Sequence, residues 1–190
     1  SAERMIKYLE DNHIPEDKPI ITLIGRLTNW KGQKLLIEAL HLLENEDFFC
    51  VMIGDDQGRK KYSAELRKMI DNYNMTDRFL FIRNVKDIPA AMMVSDVVLS
   101  TSIEPEAFGR IAIEGQAMGR VVVASNIGGS VETVIDGVTG RLYESTSAKA
   151  LAEAIEWALH LSTEEREKIG AAGIKNVKEH FTKQIMCDKT

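Results

Sequence analysis

Two apolar runs, Val97-Val98-Leu99 and Val121-Val122-Val123-Ala124, with one polar loop and one helical pattern between them, restrict the fold more than any other stretch of the chain. Short, unbroken, β-branched runs suit strands covered on both faces. After Leu99 the sequence breaks into Ser, Thr, Glu and Pro, then passes through Phe108-Gly109 into a segment of helical character. Strand, loop, helix and strand make a βαβ unit, whose crossover sets the two strands parallel. Ligands of such sheets sit outside the carboxyl ends of the strands, and the Ser100–Gly109 loop lies there. Two carboxylates, Glu106 and Glu114, flank the start of the helix.

The same alternation recurs along the chain. Pro19 to Ile24 reads as a first buried strand ending at Gly25-Arg26-Leu27, and Leu35, Leu36, Ala39, Leu40 and Leu43 then fall on one helical stripe. Phe48 to Ile53 is a second strand, followed by a helix with Tyr62, Leu66, Met69, Ile70 and Tyr73 inward. Phe79 to Ile82 is a third strand, 87–94 a short helix and 96–100 the fourth strand. Beyond the central unit, Gly128-Gly129 predicts a turn with positive φ. Val131 to Ile135 predicts a short helix, and 141–143 a last short strand. Ser147 and Ser162 cap two final helices, the second in a Ser-Thr-Glu-Glu box. Strands separated by helices, six times over, predict an α/β fold: a Rossmann-like, doubly wound parallel sheet of about six strands.

Length fits one domain with its own core, residues 20–190. Residues 1–19 form a lead-in in which Met5, Ile6 and Leu9 make a short helical face broken by Pro15. A net charge of −5 argues against a protein built for nucleic-acid backbones. Cys50 and Cys187 lack metal-ligand spacing and read as thiols of a reducing, cytoplasmic compartment. No apolar run is long enough to span a bilayer.

Gly25-Arg26-Leu27 through Lys31-Gly32 places two cations at a strand end that enters a helix, where backbone amides already favour anions. A pyrophosphate is the matching ligand; on spacing alone, solvated loop charges are an equal alternative. The stretch is neither a dinucleotide fingerprint nor a P-loop. Glu114 lies about 7 Å along its helix from the start at about 1.5 Å per residue, a span that suits a ribose diol beyond a phosphate. A solvated helix face is the alternative for Glu114, and a favourable charge at a helix start is the alternative for Glu106. The four histidines pair with no nucleophile motif, and turn chemistry accounts for Asp55-Asp56 better than a metal does.

Gly25-Arg26-Leu27…Lys31-Gly32, Glu106-Ala107-Phe108-Gly109…Glu114 and Gly128-Gly129…Glu132, in that order, resemble the signature of retaining GT-B glycosyltransferases of family 4, with its E-x7-E spacing. The resemblance covers about Pro19 to Phe181. It implies the carboxyl-terminal, nucleotide-sugar-binding half of a two-domain enzyme, the amino-terminal acceptor half being absent. By that resemblance Arg26 and Lys31 hold the donor diphosphate, with Gly25 giving the backbone room. Glu114 holds the ribose, and Glu106 with the Phe108 and Gly109 backbone holds the transferred sugar. Departures from the pattern include Ala107, Gly115-Gln116, Val121, Asn84 near the expected position of the base, and Arg110, whose first-turn charge suits a solvated surface better than the alternative, a phosphate.

The implied reaction moves a sugar from a UDP- or GDP-linked donor to an acceptor hydroxyl with retention, using neither a metal nor another cofactor. Arg26, Lys31 and Glu106 carry it electrostatically, since no residue stands out as a covalent nucleophile. The isolated domain is expected to be inactive. Any association with a membrane is expected through the missing half. A non-catalytic nucleotide-binding module and a GT-B-type nucleotide-sugar epimerase are the alternatives.

Overall fold

The computed structural model describes residues 1–83 and 87–181. Asn84 and Cys187, both singled out in the sequence, lie outside the described residues. Strands β1 (Ile20–Ile24), β2 (Phe49–Ile53), β3 (Phe79–Ile82), β4 (Val97–Ser100), β5 (Val121–Ser125) and β6 (Gly140–Tyr143) form one sheet in the order β3-β2-β1-β4-β5-β6. Every pairing is parallel, as in Ile21 opposite Cys50 and Val97, and Val97 opposite Val121. The helices are α1 (Ala2–Asn12), α2 (Gln33–His41), α3 (Lys60–Asn72), α4 (Ile88–Val94), α5 (Arg110–Ala117), α6 (Ser130–Thr133), α7 (Ala148–Leu159) and α8 (Thr163–His180).

Alternate strand residues feed two cores. Ile21, Leu23, Cys50, Met52, Leu99 and Val123 point to the face covered by α2, α3 and α7, where Leu36, Leu40, Leu66 and Ile155 are buried. Ile24, Val51, Ile53, Val98 and Val122 point to the other face, under α1, α4 and α5. Burial on both sides is why the strands read as continuous apolar runs rather than alternating ones. Thr22, polar in the middle of β1, bonds Ser95 Oγ at 2.5 Å, and Ser95 in turn donates to the Ala91 carbonyl at 2.7 Å.

Residues 1–19 contribute α1 and Ile14 to this second face. Met5, Tyr8 and Leu9 pack there, but Ile6 is exposed, because the stripe that meets α4 runs through positions 5, 8 and 9 and leaves 6 to one side. The helix expected at 131–135 begins and ends earlier, at Ser130–Thr133. Val134 is already extended, and the Ile135 amide donates to Thr139 Oγ1 at 2.9 Å. The expected caps form: Ser147 accepts from the Ala150 amide at 3.1 Å, and Ser162 and Glu165 make a reciprocal capping box. No helix among the described residues is long and apolar enough to cross a membrane.

This strand order fixes where a ligand can sit. The first three strands step outward from β1 to β3, and the chain then returns to lay β4 on the other side of β1. The loops after β1 and β4 therefore leave adjacent strands in opposite directions and open a crevice between them.

Candidate functional site

The loop after β1 is held by backbone on one side and by a buried amide on the other. The Gly25 amide donates to the Ile53 carbonyl at 2.8 Å and the Leu27 amide to the Asp55 carbonyl at 3.0 Å, which carries the β1–β2 ladder past the strand ends. Gly54 is obligatory in this contact: a Cβ there would stand 1.8 Å from the Gly25 oxygen. Gln33, only 1% exposed, donates to the Arg26 carbonyl at 2.9 Å and accepts from the Tyr62 hydroxyl at 3.0 Å. Arg26 itself is exposed, over the Trp30 ring at 5.8 Å.

A single 3-10 turn, Asn29–Lys31, then brings the β1 loop against the β4 loop. Gly32 closes it at φ 74°, with its α-carbon so near Thr101 that a Cβ would meet the Thr101 oxygen at 1.9 Å. Thr101 Oγ1 donates to the Lys31 carbonyl at 2.8 Å, and the Ile103 amide donates to the Trp30 carbonyl at 2.8 Å. These bonds set the side chain of Lys31 across the crevice, with its Nζ 4.4 Å from the Trp30 ring centre and 2.6 Å from Glu106 Oε1. Ser102 Oγ donates to the same carboxylate oxygen.

The loop carrying Glu106 is braced from behind by the 126–129 turn. The Gly129 amide donates to the Glu106 carbonyl at 2.7 Å, and a Cβ on Gly128 would lie 2.6 Å from the Glu106 backbone. Of the two glycines only Gly128 has positive φ, at 57°; Gly129 is at −61° and is small because Phe108 presses on it. Gly109, at φ 54°, is the N-cap of α5. Glu114 stands in the second turn of α5, 39% exposed, and takes an ion pair from Arg110 at 3.2 Å, one helical turn away. Glu132, the last member of the third motif, is exposed on α6 and outside the cleft.

Gly25, Arg26, Lys31, Glu106, Phe108, Gly109 and Glu114 line one open cleft of about 490 Å³, floored by Ile24, Ile88 and Ile111. All seven candidate residues thus meet in one place. The electrostatics differ from two free cations at a strand end. Lys31 is neutralised by Glu106, while Arg26 has no carboxylate partner among the described residues. Amides at the start of α5 add a positive end to the same cleft. The arrangement suits an elongated ligand, with an anionic centre near Arg26 and hydroxyl groups at the two carboxylates, Glu106 and Glu114.

Sequence reading missed Ser102, Trp30 and Gln33. Trp30 lies inside the β1 motif and was available as a signal. Ser102 and Gln33 were not, since a Ser in a polar loop and a Gln at a helix start are ordinary until their partners are known.

Asp55 and Asp56 do cap their turn, accepting from the Gln57 and Gly58 amides at 2.9 and 3.0 Å, with Arg83 beside them. Among the histidines, His41 stacks on Tyr73 at 4.0 Å, and His160 meets Glu46 at 3.0 Å at the opposite end of the sheet. Cys50 is a buried free thiol whose pKa burial raises.

Comparison with known proteins bears on this cleft. The family of glycosyl transferases group 1 matches residues 5–176. A glycosyltransferase from Rickettsia africae superposes with a TM-score of 0.96 at 38% identity, covering 100% of this chain and 50% of that one. HepE of Anabaena, solved in complex with UDP and glucose, gives 0.91 at 28% identity over 100% of this chain and 52% of its own. The carboxyl-terminal domain of LpcC, a glycosyl transferase group 1 family protein of Francisella tularensis, gives 0.81 at 27% identity and is covered over 93% of its length. The chain spans about half the length of the curated relatives it matches. Its sheet is the Rossmann-like α/β fold of GT-B glycosyltransferase structures. Matched over most of its length and folded as those proteins are, the chain belongs to the glycosyl transferases group 1 family.

Proposed function

We propose that this chain is the nucleotide-sugar-binding, carboxyl-terminal half of a retaining family 4 glycosyltransferase, and that the whole enzyme moves a sugar from a nucleoside diphosphate to an acceptor hydroxyl. The observation that carries this is the meeting of Arg26, Lys31, Glu106 and Glu114 in one cleft at the switch point between β1 and β4. Arg26 and the amides opening α5 hold the diphosphate, joined by Lys31 once Glu106 turns to the sugar. Glu114 takes the ribose hydroxyls, and Glu106 with the Phe108–Gly109 backbone takes the sugar. As the glycosidic bond breaks, negative charge grows on the diphosphate, and Arg26, the amides opening α5 and the Lys31 already released by Glu106 stabilise it. The near-complete coverage of the LpcC carboxyl-terminal domain supports placing the chain in the second half of such an enzyme, and the UDP held by HepE supports UDP as the first probe.

Calorimetric titration with UDP and GDP, with chelator present, tests this. One of the two nucleotides is expected to bind, and Glu114→Ala to weaken it by about 1.5–3 kcal/mol, the scale of a hydrogen bond to a charged group. Arg110→Ala, which removes the exposed partner of Glu114 and one cation from the lining of the cleft, is expected to weaken nucleotide less than Glu114→Ala does. The chain alone is expected to release no nucleotide from UDP-glucose in an acceptor-dependent way, because an acceptor needs holding within about 3–3.5 Å of the reacting carbon. Failure of both nucleotides to bind, or binding only with magnesium or manganese, would contradict the proposal.

A further inference from the structure

We infer that Glu106 makes the cleft discriminate between a nucleoside diphosphate that still carries its sugar and one that has lost it. This rests on the donor-site function proposed above and concerns how that site lets its product go. Lys31 and Glu106 approach to 2.6 Å with side chains only 15% and 21% exposed, so each is largely out of water and each supplies the other's counter-charge. No second ion-pair partner reaches either of them among the described residues. Ser102 donates to the same Oε1 that Lys31 meets, while Oε2 accepts no hydrogen bond from the described residues. One carboxylate oxygen is thus fixed and the other is open to a ligand.

A diphosphate entering this cleft competes with Glu106 for Lys31. When the diphosphate bears a sugar, the hexose ring stands between its terminal phosphate and the carboxylate, and a ring hydroxyl can donate to Oε2. Glu106 then exchanges part of its bond to Lys31 for a hydroxyl, and Lys31 is released toward the phosphates. When the sugar has gone, the terminal phosphate carries an additional negative charge and nothing separates it from Glu106. Two anions then share one ammonium group in a partly desolvated site, where a unit charge a few ångström away acts through an effective dielectric of about 20 rather than 80. The spent nucleotide is penalised relative to the donor, and Glu106 recaptures Lys31 as it leaves. Ser102 is the positioning residue, since it keeps the carboxylate facing Lys31.

The test is titration of UDP and UDP-glucose into the parent chain, Glu106→Gln, and Lys31→Met alone and in the Glu106→Gln background. Each variant is first shown by thermal unfolding to be folded. Glutamine keeps the size and an acceptor for Ser102 but removes the competing charge. UDP is expected to bind Glu106→Gln about tenfold more tightly than the parent, while UDP-glucose gains nothing, so that the ratio of the two affinities collapses. Lys31→Met is expected to cost UDP more in the Glu106→Gln background than in the parent, because Lys31 is then no longer shared. Unchanged or weaker UDP binding by Glu106→Gln, with the parent still binding UDP, overturns the inference and leaves the donor site standing. Absence of binding by the parent overturns both.

Discussion

Gln33 offers the sharpest test of how the site is built. Its side chain leaves the first residue of α2, turns beneath the β1 loop at 1% exposure, and ties the Arg26 carbonyl to the Tyr62 hydroxyl of α3. Tyr62 is the donor in that chain: burial first, and the Glu65 carboxylate second, push its phenol up to about 12, so it stays protonated at any working pH. Gln33→Leu preserves the bulk and removes both bonds. The part-buried Arg26 carbonyl then loses its amide partner, at about 0.5–1.5 kcal/mol for a net hydrogen bond. Tyr62 is half-buried and turns to water, adding little. The expected loss is therefore about 1.5 kcal/mol. Tyr62→Phe strips one neutral bond from Gln33 and is expected to cost about 1 kcal/mol. Because the two changes share Gln33, the double variant should be scarcely worse than Gln33→Leu alone, since contacting residues do not add. Urea unfolding followed by circular dichroism reads all three, and a fall in midpoint at constant slope identifies a change in stability. A Gln33→Leu unfolding free energy within about 0.5 kcal/mol of the parent's, or simple additivity of the pair, would show that the bond chain does not hold the loop.

Two further outcomes follow from the backbone and from the caps. Gly54→Ala puts a Cβ 1.8 Å from the Gly25 oxygen, a backbone atom that cannot rotate away. About 3 kcal/mol of destabilisation is expected, or a drop of roughly 6–12 °C in Tm for a chain of this size, and a Tm equal to the parent's would rule out the close β1–β2 loop contact. At the acid end, Arg4 and then the Ala90 amide hold the Asp87 carboxyl below its ordinary range, and the Ser162 amide and hydroxyl do the same for Glu165. A lowered folded-state pKa gives stability that is present above the unfolded value and lost as pH falls through the folded one, so these contributions fade below about pH 4. Asp87→Asn and Glu165→Gln should each flatten the fall of stability below that pH, and an unchanged acid limb would refute the assignment.

Much of this protein is written in short windows. The β-branched runs at 20–24, 97–100 and 121–125 are strands because nothing nearby offers a helical stripe, and their lack of alternation announces burial on both faces. Ser147 and Ser162 cap helices through partners three residues away, and the spacing from Glu106 to Glu114 is local to one loop and one helix. Such features span fewer than twenty residues, so side-chain chemistry and backbone period decide them before any tertiary contact forms.

What the sequence alone could not determine is which loops face one another. The order β3-β2-β1-β4-β5-β6 sets the β1 loop beside the β4 loop, although β1 and β4 are separated by two whole strand–helix units. Only then does Lys31 meet Glu106, 75 residues on, and become a paired rather than a free cation. Ser102 acquires its purpose from that pairing, and Gln33 from the approach of α3. Ile6 shows the same limit on a smaller scale: it is apolar and lies in an amphipathic helix, yet it is exposed because α4 covers only the stripe at 5, 8 and 9. Local sequence fixes the elements and the kinds of charge they bring. Charges become a site only when packing of the apolar faces selects one strand order and sets those charges within a few ångström of each other, where their interaction is strong.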